Sequence, residues 1–279
     1  GDMRGIIPRS IEKIGIYRDT MIEKGWLYTM EVTFIEIYNE QVFDLLREEG
    51  SAKTDLPIKQ DNKGKTYIQG VNRMEIDPTD LKAIDDLMDT AALHRATAST
   101  EMNAVSSRSH SIFSLYLTGK NEELGATVTG CLHLCDLAGS ERVGRSGVEG
   151  DRLKEAININ KSLSCLTDVF NGLAQKNAFI PFRNSKLTYF LQPALSGDGK
   201  TMMFVNLSPT HESYFESLCS LRFANGVNKI ELGKATRNVV EANTDVKKKS
   251  NTGSDAPKKG KDKATDKSPA KGTAKKGKK

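Results

Sequence analysis

The chain has 279 residues, 41 Lys+Arg, 36 Asp+Glu and a formal net charge of +5, a length that admits one large domain or two small ones. Thirteen Lys against four Asp put +9 on Thr244 to Lys279, leaving 28 basic against 32 acidic residues and −4 on residues 1 to 243, which argues against a body built to bind nucleic acid. No apolar run approaches the ~20 residues of a membrane helix, no signal peptide opens the chain, and four Cys in this length point to a reducing, intracellular compartment rather than a disulfide scaffold.

The first residue is Gly rather than Met, as expected of a fragment or a processed chain. Ile6 to Glu23 reads as a helix, with Pro8 in its first turn and Ile7, Ile11 and Ile14 at helical spacing. Leu27 to Tyr38 reads as a strand, because Met30, Val32 and Phe34 alternate with Glu31 and Thr33. The polar stretch from Glu48 to Lys65, with Asp61-Asn62-Lys63-Gly64 as its turn signal, reads as a surface hairpin or loop. Asp77-Pro78-Thr79-Asp80 reads as a helix start, Asp77 capping and Pro78 first in the helix. Leu81, Ile84, Leu87, Met88 and Ala91 then make one apolar face.

Ile112 to Leu117 and Ala126 to Leu137 read as strands, the second as a central strand covered on both faces. Asp151 to Gln175, Ser185 to Leu195 and Glu212 to Asn228 read as helices, and Thr201 to Leu207 as a strand. Alternating strands and helices mean an α/β layered fold. From Thr244 to Lys279 the only side chains larger than Ala and apolar are Val246 and two Pro. Such a segment cannot offset its ordering entropy and is expected to be disordered.

Two segments carry chemistry. Asn103-Ala104-Val105-Ser106-Ser107-Arg108-Ser109-His110 packs three hydroxyls, an amide and a guanidinium just before a strand. Asp136-Leu137-Ala138-Gly139-Ser140-Glu141 follows the apolar strand, at the strand end where α/β sheets place ligand chemistry. Asp with Gly three residues on suits a nucleotide switch: the carboxylate holds Mg²⁺ through water and the Gly amide reaches a terminal phosphate. Cys131, His133 and Cys135 fall on one strand face. Structural zinc uses two short-spaced pairs on loops, so zinc is not expected there.

Together the two strings resemble the switch sequences of kinesins. Gly5 to Arg9, Phe34 to Glu40, Ile157 to Leu163, Ile180 to Thr188 and Leu221 to Ala224 resemble kinesin motor-domain strings as well, so the likeness runs from about Gly5 to Asn238. Val227 to Asn238 resembles the neck of the C-terminal-motor, kinesin-14 group. The resemblance implies a motor α/β sandwich, a central, mostly parallel sheet between helices. It also implies a division into motor (1–226), neck-like segment (227–243) and tail (244–279).

It further implies ATP and Mg²⁺ as ligands, with Ser106 and Ser107 contacting Mg²⁺ and the γ-phosphate and Asn103 holding the closed switch. Asp136 would hold Mg²⁺ through water and Gly139 would donate its amide. Arg108 and Glu141 would form the ion pair that orients the attacking water. The expected track is the microtubule, met through Lys154 and Lys161 on the long helix, Lys176, Arg183 and Lys186, with the Lys59-to-Lys65 loop contributing. Movement toward the minus end, a dimer joined by a stalk outside these residues, and a cytoplasmic, cytoskeletal location with the spindle and nucleus as further sites complete the expectation.

The family's phosphate loop, G-x-x-x-x-G-K-[ST], should precede the first helix and does not occur in these residues. Gly199-Lys200-Thr201 spells only its end and precedes an expected strand. The 279 residues alone are therefore expected not to hydrolyse ATP. The competing reading is a motor-like microtubule-binding subunit without nucleotide chemistry. A different nucleotide hydrolase, such as a GTPase, fits the long matching strings less well. The tail should act as a diffuse cation toward acidic microtubule surfaces or a nuclear import receptor. It has no aromatics for base stacking, so no specific nucleic-acid contact is expected.

Overall fold

Pro8 sits in the first turn of helix α1 (Ile6–Ile22), where its missing N–H costs nothing. The helix buries Pro8, Ile11 and Gly15. A Cβ on Gly15 would lie 2.7 Å from the Pro78 side chain, so glycine here permits the close approach of the segment that leads into the second helix. These positions come from a computed structural model that describes residues 4–62, 64–96, 107–140, 151–196, 199–232 and 238–241, of which 151–160 and 240–241 as backbone alone.

Strand β1 (Leu27–Tyr38) turns back into β2 (Gln41–Asp44) through Asn39 and Glu40, both at positive φ, 52° and 59°, as a two-residue type I′ hairpin turn requires. A small hairpin of β3 (Ile58–Gln60) and β4 (Thr66–Ile68) follows, turning at Asp61, whose carboxylate accepts from the Lys65 N–H. The two-residue strand β5 (Met74–Glu75) pairs with β1.

Helix α2 (Leu81–Ala96) begins three residues later than Pro78 would place it. Asp80, not Asp77, accepts from the Ala83 N–H at 3.0 Å and caps the helix. Asp77 instead accepts from the Thr79 N–H and hydroxyl, closing a separate turn.

Two long strands, β6 (His110–Asn121) and β7 (Ala126–Asp136), form a hairpin beside β1. Then come α3 (Asp151–Ala174), α4 (Lys186–Phe190), α5 (Gln192–Leu195), α6 (Tyr214–Val227) and the short strand β8 (Val239–Glu241). Ser185 caps α4 by accepting from the Thr188 N–H. The sheet runs β2-β1-β6-β7-β8. Every pairing among the described residues is antiparallel, which corrects the expectation of a mostly parallel sheet. Tight turns give antiparallel neighbours at β1–β2 and β6–β7, while β1 and β6 meet antiparallel across the long intervening segment.

Period-two alternation divides the core between the two faces of this sheet. Ile35, Ile37 and Ile112 pack with Leu166, Val169 and Phe170 of α3 and with Leu187 and Phe190 of α4. Met30, Val32, Phe34, Phe113 and Leu115 pack with Ile11 of α1 and with Ile84 and Leu87 of α2. Burying each such side chain contributes about 1.5–3 kcal/mol. The result is the α/β sandwich the sequence implies.

Two expectations fail here. Among the described residues β7 is covered only in part: Leu132 and Leu134 pack on one core and His133 meets Phe190, but Cys131, Cys135 and Asp136 are exposed. Beyond Thr129 no described strand pairs with its outer edge. Thr201 to Leu207 forms no strand, with Met202 78 % and Phe204 71 % exposed. A strand needs a neighbour to accept its N–H groups, and among the described residues no strand pairs with this segment, although Met203 packs on the core.

One charge lies inside the sandwich. Glu36 on β1 is fully buried, and its Oε2 accepts from Lys53 Nζ at 2.8 Å. The ammonium also stands 4.2 Å from the Phe43 ring centroid. Glu36 Oε1 has no hydrogen-bond partner.

Candidate functional site

Antiparallel pairing of β6 with β7 sets Ser111 opposite Asp136. The start of one strand therefore lies beside the end of the other, and the two chemistry-bearing segments meet. The Gly139 N–H donates to the Ser107 carbonyl at 2.8 Å. The Ala138 N–H donates to His110 Nδ1 at 3.0 Å. Because Nδ1 accepts a backbone N–H, the imidazole is neutral with its proton on Nε2, and Nε2 donates to Ser162 Oγ of α3 at 2.7 Å. Burial pushes the His110 pKa down to about 4, with the Arg95 cation adding to that and Asp136 opposing it.

Arg95, in the last turn of α2, holds this corner from the other side. Its Nη1 donates to Asp136 Oδ2 at 3.1 Å and its Nη2 to the Ser109 carbonyl at 3.1 Å. The guanidinium is mostly covered while the Asp136 side chain is 69 % exposed, so the carboxylate is both anchored and open to solvent. The Asp136 carboxylate and the exposed Ser107 hydroxyl are oxygen donors of the hard type that Mg²⁺ takes.

Ser107, Arg108, Asp136 and Gly139 are thus placed at one corner of the sheet. Asn103, Ser106 and Glu141 lie outside the described residues. The Gly139 amide, expected to face a phosphate, is engaged by Ser107. Sequence reasoning gave no role to Arg95 or His110. The one available signal was that His110 ends the Ser-rich string, at the first residue of a strand.

The expected track residues form a second group. Arg183 Nη2 donates to Gln60 Oε1 of β3 at 3.4 Å, and its guanidinium lies 5.2 Å from the Tyr189 ring. Thr66 of β4 donates to the Phe190 carbonyl. Lys186 donates its backbone N–H to Glu40. The Lys59-to-Lys65 hairpin and the Arg183/Lys186 segment are therefore neighbours, with Lys59, Lys65 and Arg183 exposed. Lys161 is exposed on α3, and Lys176, just past its end, takes a positive φ of 53°. At 1.5 Å per residue the two stand about 20 Å apart. Lys154 belongs to α3 in a part described as backbone alone, and the tail from Thr244 lies outside the described residues.

A family model described as "Kinesin motor domain" matches residues 1–230. Kinesin-like protein KIN-14N of Oryza sativa subsp. japonica is 48 % identical over 237 residues, covering 83 % of this chain and 31 % of the relative. Kinesin-like protein klpA of Emericella nidulans is 46 % identical over 237 residues, covering 84 % of this chain and 30 % of the relative. The motor domain of the Saccharomyces cerevisiae kinesin-related protein KAR3 superposes with a TM-score of 0.70 at 46 % identity, over 80 % of this chain and 67 % of that structure. The chain spans about a third of the length of the curated relatives it matches.

Proposed function

The chain belongs to the kinesin motor family, and from that premise we propose that it is the switch-bearing part of a kinesin-14-type motor that couples ATP hydrolysis to minus-end-directed movement along microtubules. Members of this family are microtubule-stimulated ATPases. The observation that carries the reading is the bond from the Gly139 N–H to the Ser107 carbonyl, which joins the two nucleotide-sensing segments beside Asp136.

In this reading Ser107 and Asp136 would hold Mg²⁺, Ser106 would meet the nucleotide phosphates, and Asn103 would steady the closed switch. Bound there, Mg²⁺ would supply charge neutralisation for phosphoryl transfer, and the chain's own residues would contribute positioning. The Gly139 N–H would turn from the Ser107 carbonyl to a phosphate oxygen when nucleotide is bound. Arg108 pairs with Glu141 and orients the attacking water. Lys154, Lys161, Lys176, Arg183 and Lys186 meet the acidic track, with the β3–β4 hairpin beside them. We further propose that residues 227–243 form a neck-like segment and that the protein dimerises through a stalk outside these residues. Residues 244–279 would serve as a cationic tail, in a protein that works on the cytoskeleton.

Charge reversal in the full-length protein tests the gate. Arg108→Glu should abolish microtubule-stimulated turnover, and adding Glu141→Arg should restore part of it. Full activity of either single variant refutes the pair. Gliding of polarity-marked microtubules tests direction, and plus-end motion refutes the kinesin-14 assignment. Tight Mg²⁺-dependent ATP binding by the full-length protein separates this reading from a subunit without nucleotide chemistry.

A further inference from the structure

The loop that follows β7 leads along the chain to α3, and one side chain from a different strand, β6, bonds to both. His110 opens β6, where its backbone is held opposite Ile37 of β1 while its neighbour Ser111 is held opposite Asp136 of β7. It therefore has a fixed base. Its ring is buried, 3 % exposed, and both ring nitrogens are used. Nδ1 accepts the Ala138 N–H at 3.0 Å, and Nε2 donates to Ser162 Oγ at 2.7 Å. Ser162 is itself 2 % exposed. The residue after Ala138 is Gly139, whose N–H is held by Ser107.

From this geometry we infer that His110 is a positioning residue that couples the Ala138–Gly139 loop to α3, so that a change at either one is felt at the other. The inference rests on the motor reading only for what the coupling is used for. The chain of contacts is short and fully hydrogen-bonded: Ser107 carbonyl, Gly139 and Ala138 amides, imidazole, Ser162 hydroxyl, α3. Any ligand that draws the Gly139 amide away from Ser107 also moves the adjacent Ala138 amide. That amide cannot leave Nδ1 without either losing a buried bond or turning the ring. Turning the ring costs the Ser162 bond. Buried groups left without partners are expensive enough that the loop and the helix must shift together. A histidine suits this task because a single planar ring carries an acceptor and a donor on opposite sides. Asn is too short to reach both partners, and Lys offers no acceptor.

The test uses Ser162→Ala, which deletes the helix end of the relay and leaves His110 and the loop intact. The readout that does not depend on activity is amide hydrogen exchange in the full-length protein. Coupling predicts that the Ala138 amide exchanges about fivefold faster in Ser162→Ala, the size expected for loss of one buried hydrogen bond. Exchange in the β1–β6 ladder should be unchanged. An unaltered Ala138 rate overturns the inference, and so does a uniform rise across the fold, which marks a purely structural side chain. Imidazole ¹⁵N spectra give a second reading: a proton on Nδ1 in the wild type also overturns it. The functional arm compares turnover with and without microtubules. The inference expects the stimulation by microtubules to fall about fivefold with little change in nucleotide affinity, and equal stimulation in the two proteins refutes it. If the wild type shows no microtubule stimulation, the motor reading fails, and the exchange result still decides whether the loop and helix are coupled.

Discussion

Lys53→Met leaves the Glu36 carboxylate buried without its counter-ion. Glu36 is fully enclosed, and its Oε1 is already unpartnered. The ammonium supplies Oε2 with its hydrogen bond and lies against the Phe43 ring. Removing one partner of a buried pair costs about 3–5 kcal/mol, because the remaining charge has lost its compensation. For a body of this size about 1 kcal/mol moves the melting temperature by about 2–4 °C, so a drop of about 6–20 °C is expected. The reverse change is not symmetric. After Glu36→Leu, Lys53 keeps a route to solvent, since its side chain is 24 % exposed, and its stem still packs on apolar surface. That variant should lose less than about 1.5 kcal/mol. The double variant should fall near the wild type, giving a coupling energy of about 3 kcal/mol or more. Urea denaturation of the four proteins at constant m-value measures all three quantities. Equal losses in the two single variants, or a Lys53→Met loss under about 1 kcal/mol, would refute the account of an enclosed charge.

Three further outcomes are expected. His110 has its pKa near 4 in the fold against an ordinary 6.5, so the unfolded chain binds the extra proton. Burial holds the His133 pKa down to about 4 as well, so stability should be full above pH 6.5 and fall as pH drops toward 4, by about 2 kcal/mol for each of the two histidines between pH 7 and 5; urea midpoints at the two pH values check this, and a flat profile contradicts it. Alanine at Lys161, Arg183 and Lys186 together should weaken microtubule co-sedimentation about fivefold at low salt, and unchanged binding would remove these residues from the track surface. Deleting residues 244–279, which carry 13 Lys and 4 Asp, should raise the microtubule dissociation rate at low ionic strength and have little effect once salt screens the charge; no effect at low salt leaves the tail without a role on the track.

Much of the fold was legible because its signals are local. β1 shows period-two alternation from Met30 to Phe34 before both of its faces become buried, and α1 and α3 follow helical spacing to within a few residues of their ends. Cap selection at α2 was less legible, because Asp77 and Asp80 both offer a capping carboxylate and only the Ala83 N–H decides between them. β7 misled for a different reason. Its run of apolar and small residues suits a strand with neighbours on both sides, but coverage depends on what lies beside it, which composition does not encode. The site was legible as two strings and not as a corner. Arg95 reaches Asp136 across 41 residues and His110 reaches Ser162 across 52, and no periodicity links positions so far apart. The β6–β7 register sets His110 and Asp136 side by side, and packing of α2 and α3 on the sheet brings Arg95 and Ser162 to them.

The eleven pairs that join β1 to β6, from Leu27↔Lys120 to Ile37↔His110, also govern how the chain can reach this state. Everything from Tyr38 to Ser109, including β2 to β5 and α2, lies inside the loop that this pairing closes. Both cores draw residues from β1 and β6, so neither can form in full before the closure is made. The entropy of closing so long a loop comes due before most native contacts exist, which slows folding and makes it cooperative. The same logarithmic dependence makes the enclosed segment tolerant of length change. Doubling such a loop adds only about 0.6 kcal/mol, so insertions in the exposed turn around Gly50 and Ser51 should alter the folding rate and stability far less than a single register slip between β1 and β6.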